Sequence, residues 1–403
     1  MTGDHPERAA PPTHPLLAEG LKLFFPVAAA HAVLLPLAWV TLFSFGLPFA
    51  DRVPPGQWHA HEMIFGTYGA ALAGFLSSAV PEWTDTKARS GGALLWLLFF
   101  WLPGRLIGMV GADALILLAA LTDLAFLALL FWYMLRALIE RRSTRHGSFA
   151  VWIALFALIE SAIRATWFTG HIELSGRLLH AGLAVFLVFL SLAIARINVV
   201  VVNHAIDPSG ETTPYRPHPG RQNLSAGLVG LQLTAALLWP DSAVPAWLAL
   251  AAAAAFFDRL AEWFIGRAVF RFEVLALAGA NASAGLGFLA IGLAGLGAPV
   301  AAGTGLHLLS VGSLGLAVMA VFVIAGLRHS GRDLVLPPIA KVALVLMACA
   351  GLARVLPELG IGTAWIGLHY TLAATLWSAS FAIWLVGFWP ILTNSLKGKD
   401  GCG

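Results

Sequence analysis

Two histidines and a glutamate open the segment of this chain that is best equipped for metal chemistry. His59, His61 and Glu62 lie in the run WHAHEMIFG. Imidazole nitrogens bind iron, copper and zinc, and a neighbouring carboxylate can accept the second ring N–H and so fix the tautomer. Residues two apart on a regular helix point about 200° from each other. The two histidines therefore bind one metal only if the helix begins after them; otherwise they serve two sites, or one supports the ligand.

Three more histidines are predicted at a similar depth. His180, His307 and His369 each fall within about two turns of the outer end of a predicted membrane span. Ionisable residues inside spans are costly and usually face the bundle interior. One such histidine is more often a hydrogen-bonded core residue, but five from four spans predict metal binding. We expect His61 and His307 as the first candidates for axial ligands, followed by His180 and His369.

Four arginines follow the same pattern near the outer ends of their spans: Arg105, Arg164, Arg177 and Arg354. An arginine that faces the bundle interior needs an anion. That anion is either a carboxylate or the propionate of a haem, and the carboxylates within reach are Asp113, Glu160, Glu173 and Glu358. Imidazoles beside guanidiniums are what a b-type haem in a helix bundle requires, and a remaining imidazole suits copper.

Small residues follow the histidines along the same predicted helix. Gly66, Ala70 and Gly74 recur every fourth residue, so they form one smooth stripe. Another helix, or a flat cofactor, can approach the backbone closely there. Gly66 and Gly74 are therefore candidate cofactor contacts, and Pro81 is predicted to end the helix.

Composition places these side chains in a membrane. The chain has 403 residues, of which 59% are hydrophobic and 11% charged, and its mean hydropathy is +0.82. A soluble domain carries about a quarter charged residues. We therefore expect an all-α, polytopic membrane helix bundle whose partner is the lipid bilayer. The basic residues are spaced between apolar runs, so the sequence pI near 9.1 does not predict nucleic-acid binding.

Apolar runs of about 20 residues, bounded by charge, proline and glycine, predict about twelve spans. They are 22–45, 60–80, 91–110, 113–138, 148–169, 175–202, 224–239, 244–265, 273–297, 304–327, 338–356 and 363–392. The eighth is the least regular, because its apolar run is short and continues into DRLAEWFIGRAVFR, which could lie in the membrane interface. The predicted organisation is a disordered lead over 1–20, one membrane domain over 21–393 and a tail over 394–403.

The distribution of lysine and arginine predicts the orientation. Alternating the loops places nineteen of the 24 on one side, and the other five are Arg52, Arg105, Arg164, Arg177 and Arg354. Positive residues accumulate on the cytoplasmic side of membrane proteins. Both termini and the loop 204–223 are therefore predicted to be cytoplasmic, and the candidate histidines lie toward the outer leaflet.

Several stretches resemble one known family. WHAHEMIFG with AGFLSSAVPEWT, then LLWLLFFWLPGRLIG, HLLSVGSLGLAVMAVFVIAGLRHSGRDL and FAIWLVGFWPIL, are similar in content and order to the signatures of the NnrS family. The resemblance implies a bacterial inner-membrane protein of the nitric oxide response, with haem b, copper and nitric oxide as ligands. Residues 276–287 carry no histidine, where many relatives have one, which allows for one cofactor fewer.

Two other functions fit parts of the pattern. A secondary transporter also has about twelve helices, but its sites lie at the midplane between repeated halves, whereas these ionisable groups gather toward one face and the halves do not match. A haem–copper oxidase or nitric oxide reductase carries adjacent copper-binding histidines, and this chain has no His-His pair. No motif for catalytic turnover or for an electron donor is visible, so a catalytic residue is not predicted.

Overall fold

The computed structural model describes residues 14–42, 44–46, 49, 52–111, 113–142 and 147–394. The described residues are helical or irregular, and no strand occurs among them. Most of the predicted lead and tail, including Arg8, Lys397 and Lys399, lies outside this part of the chain. Within the lead, Pro15–Leu17 forms one 3₁₀ turn before the first long helix.

The described residues include twelve long helices. They are α1 (Gly20–Thr41), α2 (Pro55–Thr84), α3 (Gly92–Val110), α4 (Asp113–Glu140), α5 (Gly147–Thr169), α6 (Ile172–Ile206), α7 (Pro219–Leu238), α8 (Val244–Trp263), α9 (Phe272–Gly295), α10 (Ala302–Arg328), α11 (Pro338–Leu359) and α12 (Leu368–Thr393). All except α7 are both long and apolar enough to cross a membrane. The predicted all-α, multi-pass membrane bundle is confirmed, and its orientation stays a prediction.

The helix that carries the histidine motif is the most enclosed span. In α2, 89% of the most apolar stretch is buried, compared with 33% in α3 and in α4. Helix α1 packs along α2 and also against α12. Phe24 and Phe25 of α1 lie against Gly74, where an added Cβ would be 2.9 Å from the Phe25 ring. This part of the glycine stripe is therefore in contact with another helix. That is the first of the two roles predicted for the stripe.

The prediction that Pro81 ends this helix is wrong. Helix α2 continues through Thr84 and ends at Asp85, whose φ of 49° is left-handed. A proline removes one backbone donor, but the residues after it still find carbonyls one turn earlier. The Asp85 N–H bonds to the Pro81 carbonyl and closes the last turn.

Two π-helical segments interrupt the bundle beside candidate ligands. Glu62–Tyr68 lies within α2 and begins directly after His61. Leu308–Gly315 lies within α10 and begins directly after His307. A π-helical turn inserts an extra residue and shifts the helix face that follows it, and such turns often occur at functional sites. Both segments therefore change the direction in which the following side chains point.

The two π segments also touch each other. The Tyr68 hydroxyl donates to the Ser310 carbonyl, which lies in the second segment. The indole N–H of Trp101 donates to the Gly66 carbonyl at 3.1 Å. Side chains thus donate to backbone carbonyls where the regular pattern of helical hydrogen bonds is shifted. Buried carbonyls need such partners.

The eighth span lies close to its predicted bounds and changes its helix type near the end. It is α-helical to Asp258 and then tightens into 3₁₀ turns, Arg259–Trp263 and Gly266–Phe270. Arg259 and Glu262 are buried and 3.2 Å apart, and an Arg259 N–H also donates to the Ser191 hydroxyl at 2.8 Å. The start of this segment therefore packs inside the bundle, whereas Phe264 and Phe270 further along it are exposed.

Candidate functional site

The two histidines of the motif face different surroundings. Helix α2 begins at Pro55, before both of them, so they point to different sides of one helix. The His59 ring stacks on Trp39, with ring centres 5.1 Å apart and planes 8° from parallel. The His61 ring instead meets Glu160 of α5. The condition for one shared metal, a helix that begins after both histidines, is therefore not met.

His61 belongs to a buried group of ionisable side chains that we call the ion cluster. Its members come from the first five helices, and nearly all are fully buried. They are His31, His61, Glu62, Arg105, Asp123, Glu160 and Arg164.

Both ring nitrogens of His61 face carboxylates. Its Nε2 lies 2.9 Å and 3.0 Å from the two carboxylate oxygens of Glu160, and its Nδ1 lies 3.3 Å from Glu62. Glu62 also lies 3.4 Å from Nε2 of His31, whose Nδ1 is 2.8 Å from the Thr67 hydroxyl. Glu62 is thus placed as the supporting carboxylate that the sequence predicts, but it is shared by two histidines.

Two arginines hold the carboxylates of the cluster together. Arg105 lies 2.5 Å from Asp123 and 3.3 Å from Glu62. Arg164 lies 2.7 Å from Glu160 and also contacts Asp123. Both guanidiniums therefore have carboxylate partners, which is the ion-pair alternative to a propionate.

Glycines let helix α3 approach this cluster. An added Cβ at Gly108 would lie 2.7 Å from a carboxylate oxygen of Glu62, and one at Gly66 would lie 2.6 Å from the Arg105 guanidinium. A side chain at either position would therefore displace a charged group. In the GRLIG motif, Gly108 thus provides space and Arg105 provides charge.

The cluster holds an uneven number of charges. Three carboxylates and two guanidiniums leave one negative charge when the histidines are neutral. One proton on an imidazole, or one small cation, would balance it. Ligand atoms of His61, Asp123 and Glu160 all lie within 4.8 Å of one another, the spacing of a metal site. However, Arg164 contacts all three, and its positive charge opposes a metal ion there.

His59 instead borders a cavity of about 170 Å³, which we call the His59 cavity. The side chains with polar or sulfur atoms that line it come from α1, α2, α10, α11 and α12, and they are Trp39, His59, Met63, His307, Arg354, Tyr370 and Trp377. In His307, Nδ1 is 2.7 Å from the Gly303 carbonyl, which can only accept. That nitrogen therefore carries the proton, and Nε2 keeps the lone pair that a metal needs.

The donor set of the His59 cavity fits a copper ion. His59 has a buried Nδ1 with no partner among the described residues, and His307 is held in the tautomer of a ligand. The thioether of Met63 lines the same cavity, and thioethers with imidazoles favour copper(I). A volume of about 170 Å³ is below the roughly 300–1,000 Å³ of pockets for cofactor-sized ligands. The cavity therefore does not fit a haem.

The remaining residues near this cavity are linked through Glu358. Arg354 lies 2.5 Å from Glu358, and the Thr304 hydroxyl donates to the same carboxylate at 2.9 Å. His369 is buried, with Nε2 3.7 Å from Glu358 and Nδ1 accepting from the Gly367 N–H at 3.1 Å. Arg354 thus has a carboxylate partner, and His369 lies behind the cavity wall.

His180 lines a third region, a larger cavity of about 510 Å³ between α6, α7, α8, α9 and α10. Arg177 lines it too, together with Gln232 and a mainly apolar wall. The Arg177 guanidinium is 3.7 Å from Glu173, whose side chain is 90% exposed, so that pairing is weak. The volume is within the range of pockets for cofactors, and one imidazole beside one guanidinium fits a haem.

Sequence reasoning missed three residues of these sites. His31, Asp123 and Met63 are absent from the predicted site residues. A signal existed for Asp123, because it is the single charge in the apolar run LLAALTDLAFLALL. Charges inside spans usually have a partner, and Arg105 and Arg164 are those partners.

The sequence family follows from a match over nearly the whole length. A family model described as NnrS protein matches residues 15–395 of the 403-residue chain. The chain belongs to the NnrS family. No curated protein and no solved structure matches it. The match spans every motif on which the resemblance rested, and with the helices described above it identifies a multi-pass membrane protein of the NnrS family.

Proposed function

We propose that this NnrS-family protein binds copper in the His59 cavity and a b-type haem in the cavity beside His180, and that it handles nitric oxide in the bacterial inner membrane. Such a protein supports resistance to nitrosative stress or denitrification. The observation that carries the proposal is the pair His59 and His307, from two helices, with Met63 on one cavity wall. Family membership supports the link to nitric oxide.

In the copper site, His59 and His307 are the imidazole ligands and Met63 is a soft third ligand. Copper supplies redox chemistry and binds diatomic molecules when present. The protein fixes the His307 tautomer through the Gly303 carbonyl and stacks His59 on Trp39, so both rings are held before metal binds. Ligands that are already oriented lose less entropy on binding.

In the haem site, His180 would hold the iron through its imidazole, and Arg177 would pair with a carboxylate group of the haem. These residues are three apart on α6, so they lie on one face of the helix. Among the described residues that line this cavity, His180 is the single histidine. A haem held by one imidazole would supply a binding site for a diatomic ligand. Nitric oxide is apolar and concentrates in lipid, which surrounds this site.

The first test is an absorption spectrum of the detergent-purified protein, reduced and with nitric oxide, alongside metal analysis. A Soret band that shifts on addition of nitric oxide, with one copper per chain, supports the proposal. Absence of both haem and copper from protein expressed with adequate supply overturns it and favours a transporter.

Substitutions then test the haem site. His180→Ala should remove the Soret band, whereas His171→Ala, in an exposed position nearby, should leave it. Haem occupancy should fall in the order wild type, Arg177→Lys, Arg177→Met, since lysine keeps the charge but loses the bidentate geometry. Unchanged haem per folded chain in His180→Ala and Arg177→Met would contradict this assignment.

A further inference from the structure

A second kind of binding site lies at the opposite end of α2 from the histidines. A cavity of about 190 Å³ opens between the end of α2, the α2–α3 connection and the last turns of α4. Three cationic side chains line it, Lys87, Arg89 and Arg136. The same end is the predicted cytoplasmic one.

The three cations have no anion of their own. Among the described residues, no carboxylate lies within 4.0 Å of any of them, whereas the nearby Arg141 is 2.9 Å from Asp85. Arg89 lies over the neutral Tyr133 ring, 5.1 Å from its centre. Glu140 is the single carboxylate among the lining residues. Three positive charges against one negative leave the cavity with an excess of two.

The inner wall of the cavity is apolar. Leu76 and Val80 of α2 and Leu130 and Met134 of α4 line it. Because α2 and α4 are long and apolar enough to cross a membrane, this wall belongs to the membrane-spanning part of the bundle. The cavity thus combines a cationic mouth with an apolar interior at a membrane boundary.

We propose that this cavity binds the headgroup of an anionic phospholipid. Lys87, Arg89 and Arg136 hold the phosphate, and the beginning of an acyl chain covers the apolar wall. Basic pockets between spans on the cytoplasmic side suit phosphate headgroups, and each lysine or arginine near such a surface strengthens binding about fivefold. A free phosphate ion would satisfy the cations but leave the apolar wall uncovered. The site is separate from the metal sites and does not depend on them.

Native mass spectrometry of the full chain in detergent tests the proposal, with phosphatidylglycerol, phosphatidylcholine and inorganic phosphate as probes. We expect phosphatidylglycerol to bind more tightly than phosphatidylcholine. The triple substitution Lys87→Gln, Arg89→Gln and Arg136→Gln should weaken phosphatidylglycerol on the order of 100-fold.

A matched control removes the same charges elsewhere on the same predicted face. It carries Gln at three other positions, Arg267, Arg332 and Lys341, and should keep phosphatidylglycerol binding within about twofold. Equal losses in both triple variants would mean attraction by net charge alone and would overturn the site. Inorganic phosphate that binds as tightly as phosphatidylglycerol would overturn the lipid as ligand.

Single substitutions keep the test decisive if the triple variant folds poorly. Lys87 and Glu140 are both exposed, so their replacement disturbs no packing. Lys87→Gln should weaken phosphatidylglycerol about fivefold, and Glu140→Gln should strengthen it, because one removes an attraction and the other a repulsion. Changes of the same sign in both variants would contradict the proposal.

Discussion

His59 and His61 are two residues apart in one helix, yet their surroundings differ in charge, partners and space. His61 is enclosed by carboxylates and guanidiniums, and both of its ring nitrogens face a carboxylate oxygen. His59 borders a cavity of about 170 Å³ with a second imidazole and a thioether, and its Nδ1 has no partner among the described residues.

The motif thus places two histidines in chemically different surroundings on different sides of one helix. A histidine whose nitrogens are occupied stabilises the bundle and is poorly available to a ligand. A histidine with an unpaired ring nitrogen beside a cavity is available to a ligand. The charged neighbours of His61 also hold in place the helix that carries His59. The ion cluster is therefore expected to act on folding, and the His59 cavity on metal content.

The largest effect should come from breaking the ion cluster. Arg105→Met leaves Asp123 and Glu62 buried without one of their cations, which should cost about 3–5 kcal/mol of unfolding free energy. Thermal unfolding in detergent measures it, with copper per folded chain unchanged. Arg141→Met is the matched control, because its pair with Asp85 is exposed and should contribute at most about 1 kcal/mol. Equal melting of the two variants would remove the distinction between the regions.

The two histidines of the motif should separate most clearly in copper content. His59→Ala and His307→Ala should lower bound copper from about one per chain to near zero with little loss of stability, since metal ligands are removed from a cavity. His61→Ala should do the reverse, losing about 1–3 kcal/mol of unfolding free energy while copper stays, because Glu160 and Glu62 each lose a buried hydrogen-bond partner but keep their arginines. Elemental analysis with thermal unfolding reports both, and His204→Ala is the control. Copper loss confined to His61→Ala would reverse the assignment.

A smaller change should refine the ligand set of the cavity. Met63→Leu keeps nearly the same volume and removes the thioether. We expect copper(I) affinity to fall about tenfold while the melting temperature holds. Competition with a chromogenic copper(I) chelator under reducing conditions measures the affinity. Unchanged affinity in this variant, together with loss in His59→Ala, would leave copper with the imidazoles alone.

The smallest effect should come from a histidine–carboxylate pair at the end of the bundle. His329 Nδ1 lies 2.6 Å from Glu19, with Glu82 and Lys22 nearby. Burial lowers the pKa of His329, but the hydrogen bond to Glu19 and the charges of Glu19 and Glu82 together outweigh burial, so its pKa lies above the ordinary value. Its stabilisation is full below pH of about 6.5 and is lost as the pH rises through the raised pKa.

We therefore expect wild type to exceed His329→Gln by about 1 kcal/mol or less at pH 5.5, with the difference vanishing at high pH. Thermal unfolding across pH measures this difference. A difference that grows with pH would mean that the imidazole stabilises the fold in its neutral form. The contribution of this partly exposed pair to the unfolding free energy can then be compared with the larger contributions expected for the buried pairs of the ion cluster.

The class of protein and the positions of its helices could be predicted from the sequence. Apolar runs long enough to span a bilayer are a local property, so the ends of most spans were predicted within a few residues. Pro81 was the exception, because a proline weakens one turn without deciding where the helix stops. The charge partners Glu160, Glu173 and Glu358 were likewise readable from residue type and spacing.

Which polar groups meet depends on how the helices pack against one another. His31 joins Glu62 because α1 crosses α2 at that level, and Asp123 joins both arginines because the glycines of α3 let the helices approach. The lone charge of Asp123 in its apolar run indicates that it needs a partner, but which residue it meets has no local signature, and the same holds for His31. The separation of His59 from His61 depended on where α2 begins and on which helices stand opposite each face, and spacing alone left both arrangements open.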